Sequence, residues 1–260
     1  MISKIKKILN KKNKSKIICL TSYSKNISEA IDPYSDIILV GDSLGSVLYN
    51  YSTTRKVSLD QMIEHSKSAR LGIKKSLMVV DMPYNTYKNK NEALSNAKKI
   101  IKKTRCDAVK LEGGKNISNI IKHLIKNKIA VMGHIGLLPQ YETGKFRFKG
   151  TSKNIKERNK ILNDAVALDN AGVFSIVLEC IETSLSKKIT KKIKIPTIGI
   201  GASAYCDGQI LVTDDLIGLN LINARFVKKY AKIDKVIDNA VLRFKKDVKK
   251  NIFPSKNQSY

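Results

Sequence analysis

The sequence predicts an α/β fold, a (β/α)8 barrel, and three observations predict it. Eight short runs rich in Ile, Val and Leu recur along the 260 residues. The runs are continuously apolar instead of alternating, the pattern of strands buried on both faces of a parallel sheet. Between them lie segments with apolar residues at helical spacing, so strand and helix alternate over about 200 residues, which suits a closed barrel better than an open doubly wound sheet.

Taken in order, the chain opens with ISKIKKIL, an amphipathic helix expected to pack against the barrel ahead of the first strand. The strands then read IICLT at 17–21, DIILV at 36–40, SLMVV at 76–80, AVKL at 108–111, IAVM at 129–132, FSIVLE at 174–179, PTIGI at 196–200 and ILV at 210–212. The helical segment NEALSNAKKIIKK places Ala93, Ala97, Ile100 and Ile101 on one side. HSKSARLG and IIKHLIK read as helices that leave His65 and His123 at the surface, and the polar stretch TSKNIKERNK at 151–160 reads as a loop. After about residue 224 a further helix is expected from FVKKYAKIDKVIDNAVLRFKKDVKK. No repeat, low-complexity linker or Pro/Gly hinge divides the chain, so the expectation is a single barrel domain over 1–260 with an N-terminal helix and a C-terminal helical tail.

Composition excludes several classes. Hydrophobic residues make up 42% and charged residues 27%, which is the balance of a folded globular protein and not of a disordered or collagen-like chain. Lys and Arg total 49 against 22 Asp and Glu, a formal net charge of +27, which raises the question of nucleic acid. The lysines are spread over nearly every segment and Trp is absent, so the stacking-and-patch signature is missing and the charge reads as bulk composition rich in Lys, Ile and Asn. The four cysteines show no CxxC pair and read as reduced packing residues. No window reaches the roughly 18 apolar residues of a spanning helix and no signal-peptide core is present, so neither a membrane nor nucleic acid is an expected partner and the expected address is the cytoplasm.

In this architecture active sites gather at the carboxyl ends of the strands. Polar residues fall there repeatedly: Asp42 and Ser43 in GDSLG, Asp81 in DMP, Lys110 and Glu112 in KLEGG, His134 in GHIGL, Glu179 in LEC, then the glycine-rich turn GIGAS. A single Asp after a strand is most often a helix cap, but five strand ends converging on one rim define a site. Asp42, Asp81 and Glu112 are hard oxygen donors without a cysteine partner, which favours Mg²⁺ over zinc. Lys110, two residues from Glu112, shares its strand face and offers a positive charge to an anion. A metal and a lysine together suit a 2-oxo acid whose adjacent carbon loses a proton to form an enolate. Glu179 is the candidate base, with His134 as its rival or as a hydrogen-bonding residue of the wall. GIGAS lacks the lysine of a phosphate loop and reads as a turn that lets a strand end approach a ligand. YETGKFRFKG at 141–150 reads as a loop over the mouth.

The motifs VGDSLG, VDMPY, VKLEGG, GHIGLLPQ, VLEC, PTIGIGAS and DGQILV, collinear from LTSY to NIFP, closely resemble those of the ketopantoate hydroxymethyltransferase (3-methyl-2-oxobutanoate hydroxymethyltransferase) family. The resemblance implies a barrel of the phosphoenolpyruvate/pyruvate superfamily. It also implies transfer of a hydroxymethyl group from 5,10-methylenetetrahydrofolate, as co-substrate, to 3-methyl-2-oxobutanoate, giving 2-dehydropantoate in the first step of pantothenate synthesis. Carried over by position, it makes Asp42 and Asp81 direct ligands of one Mg²⁺ per subunit, with Glu112 completing the metal site through water. It makes Asp42, Ser43, Asp81 and Lys110 the 2-oxo acid site, His134 an auxiliary substrate residue and Glu179 the catalytic base. It further implies a homo-oligomer, a decamer of two pentameric rings. The chain departs from the family pattern at Ser24 and Ile27 near the first strand, at Leu138, at Ser203 and along 141–150. Two other classes stand beside this reading. One is another Mg²⁺-enolate enzyme of the superfamily, which would carry a nucleophilic cysteine loop or phosphonate contacts. The other is a basic nucleic-acid-binding protein, which leaves the strand-end carboxylates without a role.

Overall fold

The computed structural model describes residues 2–142, 150–152, 154–220 and 224–260. Eight parallel strands close in sequence order: β1 (Ile17–Thr21), β2 (Ile37–Val40), β3 (Leu77–Asp81), β4 (Ala108–Glu112), β5 (Val131–Gly136), β6 (Ser175–Glu179), β7 (Thr197–Ile200) and β8 (Gly208–Leu211). Closure comes from β8 returning to β1, with Ile17 opposite Gly208 and Leu20 opposite Leu211. Ten helices lie among the described residues: α1 (Ile2–Asn10), α2 (Lys25–Ile31), α3 (Leu44–Tyr49), α4 (Leu59–Gly72), α5 (Lys90–Thr104), α6 (Ser118–Lys126), α7 (Ile155–Ala171), α8 (Thr183–Lys192), α9 (Thr213–Leu216) and α10 (Ile233–Lys249). The barrel lies within Met1–Val212, and Thr213–Tyr260 form a second compact unit.

Strand alternation divides the core in two. Ile37, Leu39, Leu77, Val79, Ala108, Met132, Val177 and Ile198 pack together inside the barrel. Their neighbours Ile38, Val40, Met78, Val80, Val109, Leu111, Ile176 and Leu178 join the helices in an outer layer. Each such fully buried aliphatic side chain contributes about 1.5–3 kcal/mol. The amino end of the barrel is filled by α1, whose Ile8 is 3% exposed and belongs to the inner cluster. Just beyond it, Lys12 Nζ donates to Asp207 Oδ2 at 2.8 Å and to Thr190 O at 2.7 Å. The expected leading helix is therefore present and packed as its amphipathic pattern demands.

Helix starts follow local capping chemistry. Ser58 and Gln61 form a reciprocal capping box on α4, and Asn89 accepts from Glu92 N at the head of α5. The segment 151–160 is not all loop: Asn154 accepts from Glu157 N and starts α7 at Ile155, so most of that polar stretch is the exposed first part of a helix. In the second unit the tail helix begins at Ile233, later than residue 224. There Tyr230 N donates to Leu216 O and Ile233 N to Ile217 O, so the backbone ahead of α10 bonds to the α9 segment instead of to its own preceding turn. Phe253–Pro254 is a cis peptide.

Candidate active site

The alternation that builds the inner core also builds the site. Continuing the inward parity of Val79 gives Asp81; that of Ala108 gives Lys110 and Glu112; that of Met132 gives His134; that of Val177 gives Glu179. Adjacent strands place these residues side by side, with Asp81 opposite Lys110 and Glu112 opposite His134. Asp42 stands just beyond β2, after Gly41. All six are buried, from Glu112 at 1% to Glu179 at 7% exposed, on a rim where charge survives only by mutual pairing.

The contacts run continuously across the rim. Asp81 Oδ1 lies 3.0 Å from Lys110 Nζ without an aligned hydrogen bond, and Asp81 Oδ2 accepts from Asp42 N at 3.0 Å. Lys110 Nζ lies 3.4 Å from His134 Nδ1. His134 stands between two carboxylates, with Nδ1 3.4 Å from Glu112 Oε1 and Nε2 3.2 Å from Glu179 Oε2. Ser43, half-buried at the head of α3, shares a 2.8 Å hydrogen bond with the Tyr23 hydroxyl. Close approach of β5 and β6 at this rim depends on Gly136, whose φ is +98° and where a Cβ would meet Glu179 O at 2.3 Å.

Electrostatics follow from this crowding. Burial, then the charges of Asp81 and Glu112, push the Asp42 carboxyl well above the usual carboxylate range. Asp81 is also raised by burial, against which Lys110 pulls it down. Burial opposes the charge on Lys110, but Asp81, Glu112 and Asp42 outweigh it and raise its pKa. Burial would raise Glu112 too; His134, Lys110 and the Gln140 N–H overcome it and hold this carboxyl low. Burial and Lys110 act against the His134 charge, yet Glu112 and Glu179 raise its pKa to about 9.

Two buried residues outside the expected set are woven into the site. Gln140 is 1% exposed and Tyr87 is 5% exposed. Gln140 Nε2 donates to Asp42 Oδ2 at 2.7 Å and to Met82 O at 3.0 Å, and its main-chain N donates to Glu112 Oε2 at 3.0 Å. Tyr87 donates to Gln140 Oε1 at 2.5 Å. Gln140 follows Pro139 in the turn beyond β5, and its place as the last residue of the GHIGLLPQ motif was the available signal. Tyr87 carried none.

The other sequence expectations resolve individually. His65 is not a free surface residue: it is half-buried, with Nδ1 3.0 Å from Tyr23 O and Nε2 2.9 Å from the Tyr49 hydroxyl. His123 is also half-buried, and its Nε2 has no hydrogen-bond partner among the described residues. GIGAS turns the chain beyond β7, where Ser203 Oγ accepts from Tyr205 N. Most of the expected mouth loop, 143–149, lies outside the described residues. Beside the mouth a pocket of about 1300 Å³ is lined by residues following β4 and β5 and by the first half of α7, including Lys115, Leu138, Tyr141, Lys156 and Asn163.

A closed parallel barrel with its buried carboxylates, lysine and histidine assembled at the carboxyl ends of the strands defines a (β/α)8-barrel enzyme. Solved structures share the fold at low identity. A 2,3-dimethylmalate lyase of the PEP mutase/isocitrate lyase superfamily aligns at TM-score 0.62 and 10% identity, over 99% of this chain and 91% of that one. A phosphonopyruvate hydrolase in complex with oxalate and Mg²⁺ aligns at TM-score 0.58 and 9% identity, over 98% and 93%. The family model of ketopantoate hydroxymethyltransferase matches residues 2–256. A 3-methyl-2-oxobutanoate hydroxymethyltransferase of Pelagibacter ubique (strain HTCC1062) is 68% identical over 98% of this chain and 99% of its own length. One from Helicobacter pylori (strain ATCC 700392 / 26695) is 44% identical over 96% and 93%. The chain belongs to the ketopantoate hydroxymethyltransferase family and is an enzyme of the hydroxymethyl-transfer step in pantothenate synthesis. Among the described residues no helix is long and apolar enough to cross a membrane.

Proposed function

We propose that the enzyme moves a hydroxymethyl group from 5,10-methylenetetrahydrofolate to C3 of 3-methyl-2-oxobutanoate, giving 2-dehydropantoate, with Mg²⁺ at the Asp42–Asp81 end of the rim. One observation carries the reading: four buried carboxylates, Asp42, Asp81, Glu112 and Glu179, share one rim with Lys110 and His134. With every group ionised, four negative charges stand against two positive ones, and the excess is the charge of one divalent cation.

The donor set fits Mg²⁺. It offers hard oxygens only, and Asp81 Oδ1 is buried without an aligned hydrogen bond. By the family resemblance Asp42 and Asp81 would hold the ion directly and Glu112 through water, and substrate oxygens would share it. Bound there, Mg²⁺ supplies positive charge beside the keto group and makes the neighbouring C–H acidic.

The side chains divide the remaining work. Lys110 and Ser43 orient the 2-oxo acid, the lysine as a buried point charge for its carboxylate. Glu179 accepts the C3 proton, and His134, held between Glu112 and Glu179, keeps that carboxylate in place. The carbon freed of its proton bonds to the donor's methylene carbon, both C–N bonds of that methylene break, water provides the hydroxyl oxygen, and the C3 proton and the second proton of the water go to the two nitrogens, leaving tetrahydrofolate. The pocket lined by Lys115, Tyr141 and Lys156 has room for a co-substrate of folate size.

In a single copy of the chain α10 leaves Val241, Leu242 and Phe244 more than half exposed, which supports assembly with further copies, a homodecamer by the family resemblance, in the cytoplasm. The reaction is tested by proton NMR of 3-methyl-2-oxobutanoate with enzyme in D₂O, with and without Mg²⁺, before and after the folate is added. Metal-dependent C3 exchange followed by 2-dehydropantoate is expected. Absence of exchange refutes the assignment of the rim, and exchange without product refutes the folate as donor.

A further inference from the structure

We propose that Gln140, clamped by Tyr87, is the positioning residue that fixes two of the metal-facing carboxylates, Asp42 and Glu112, relative to one another. The proposal rests on the Mg²⁺ reading above and adds a residue to it. Every hydrogen-bonding group of the Gln140 side chain is committed. Both Nε2 hydrogens are used, one on Asp42 Oδ2 and one on Met82 O, and Oε1 accepts from Tyr87. The orientation of the amide is fixed by these partners, because reversing it would set Oε1 against a carboxylate and a carbonyl oxygen and leave the Tyr87 hydroxyl facing an N–H.

The geometry joins three strands through one residue. Asp42 stands beyond β2, Met82 follows Asp81 at the end of β3, and Glu112 ends β4. Gln140 reaches all three, by its side chain to the first two and by its main-chain N to Glu112 Oε2 at 3.0 Å. Asp42 Oδ2 thereby accepts an N–H, which sets the orientation of this carboxylate before any ion arrives. Asp42 and Asp81 repel one another across the rim, and an Nε2 donor on the far oxygen of Asp42 offsets part of that repulsion without occupying the space between them. Tyr87, buried and lying within 3.3 Å of Glu112 O as well as 2.5 Å of Gln140 Oε1, holds the clamp to β4. A group that orients a metal-binding carboxylate commonly governs metal affinity 10- to 100-fold.

The test is Mg²⁺ titration calorimetry on the full-length enzyme, with urea unfolding of the same samples without metal. Gln140→Met keeps length and burial but removes the amide, and should weaken Mg²⁺ binding about 10- to 100-fold. Tyr87→Phe leaves the amide but frees it to rotate, and should weaken binding in the same direction by a smaller factor, about 3- to 10-fold. With saturating Mg²⁺ both variants should recover most of the C3 exchange rate, a rescue that a general loss of folding would not give. Wild-type Mg²⁺ affinity in Gln140→Met together with a lower urea midpoint makes Gln140 a brace of the fold and overturns the proposal. Should Gln140→Met not fold, Tyr87→Phe decides, and unchanged Mg²⁺ affinity there overturns it equally. Absence of Mg²⁺ binding by the unaltered enzyme removes the metal reading and this role with it, whereas loss confined to the variants supports both.

Discussion

At the scale of single residues the rim separates holding from reacting. Glu179→Gln keeps the shape of the side chain but cannot take a proton, so Mg²⁺ and 2-oxo acid binding should persist while C3 deuterium exchange falls by at least about 10²-fold. Proton NMR in D₂O reads this directly, and near-normal exchange would transfer the base role to His134 or to water. Asp81→Ala should weaken Mg²⁺ and 3-methyl-2-oxobutanoate together, since the proposed chelate shares them, and it also strips Lys110 of its 3.0 Å partner. Loss of one ligand without the other, measured by calorimetry, would sink the shared site. The residues in these predictions were legible in the sequence because a buried strand is an apolar run, and a charged residue ending such a run has no local reason to be there. Tyr87 was not legible, and Gln140 was marked only by closing the GHIGLLPQ motif, with no sign of what it would bond. Gln140 bonds to Asp42 across 98 positions and to Tyr87 across 53, separations over which local pattern carries no signal.

At the scale of elements, the connections between strands and helices were the least readable part. Eight apolar runs gave eight strands; in β2 to β7 continuous hydrophobicity goes with burial on both faces, whereas β1 and β8 leave Ile18 and Gln209 exposed. The polar stretch at 151–160 concealed the start of α7 because an exposed helical turn and a loop share a composition, and the cap at Asn154 distinguishes them. Another such device sits between α4 and β3. Asp32 accepts from the N–H groups of Lys74, Lys75 and Ser76 at 2.8–3.2 Å. Burial would raise this carboxyl, but those donors prevail and lower it. A depressed folded pKa means stability present above the ordinary Asp value, about 3.9, and lost as pH falls through the folded value. Asp32→Asn should therefore cost about 1.5–3 kcal/mol at pH 7 by urea unfolding, with the gap to the parent narrowing near pH 3. A gap that does not change with pH would show that the carboxylate charge is not its source.

At the scale of the whole molecule, the net charge of +27 and the apolar face of α10 are the two global features that the barrel itself does not require. The first is compositional, with lysines on almost every helix. The second is concentrated: Val241, Leu242 and Phe244 are 58%, 61% and 53% exposed on one helix of the second unit. If further copies cover this face, Val241→Asp combined with Leu242→Asp should shift sedimentation velocity to a smaller species while helix content by circular dichroism stays the same. Sedimentation identical to the parent would leave the face without a partner copy.

The alternation of the strands has a consequence for how such a chain tolerates change in length. Lys110 and Glu112 reach the rim only because they stand an even number of positions from Ala108, and Asp81 because it stands an even number from Val79. A residue gained or lost within β3 or β4 would rotate those charges outward among Val80, Val109 and Leu111, turning the reacting groups into buried defects of the helix layer. The strands thus behave like a reading frame, in which the inner face is spelled by every second residue. A residue gained or lost in the turns between the strands leaves that frame intact, because a slipped residue there meets solvent instead of the core.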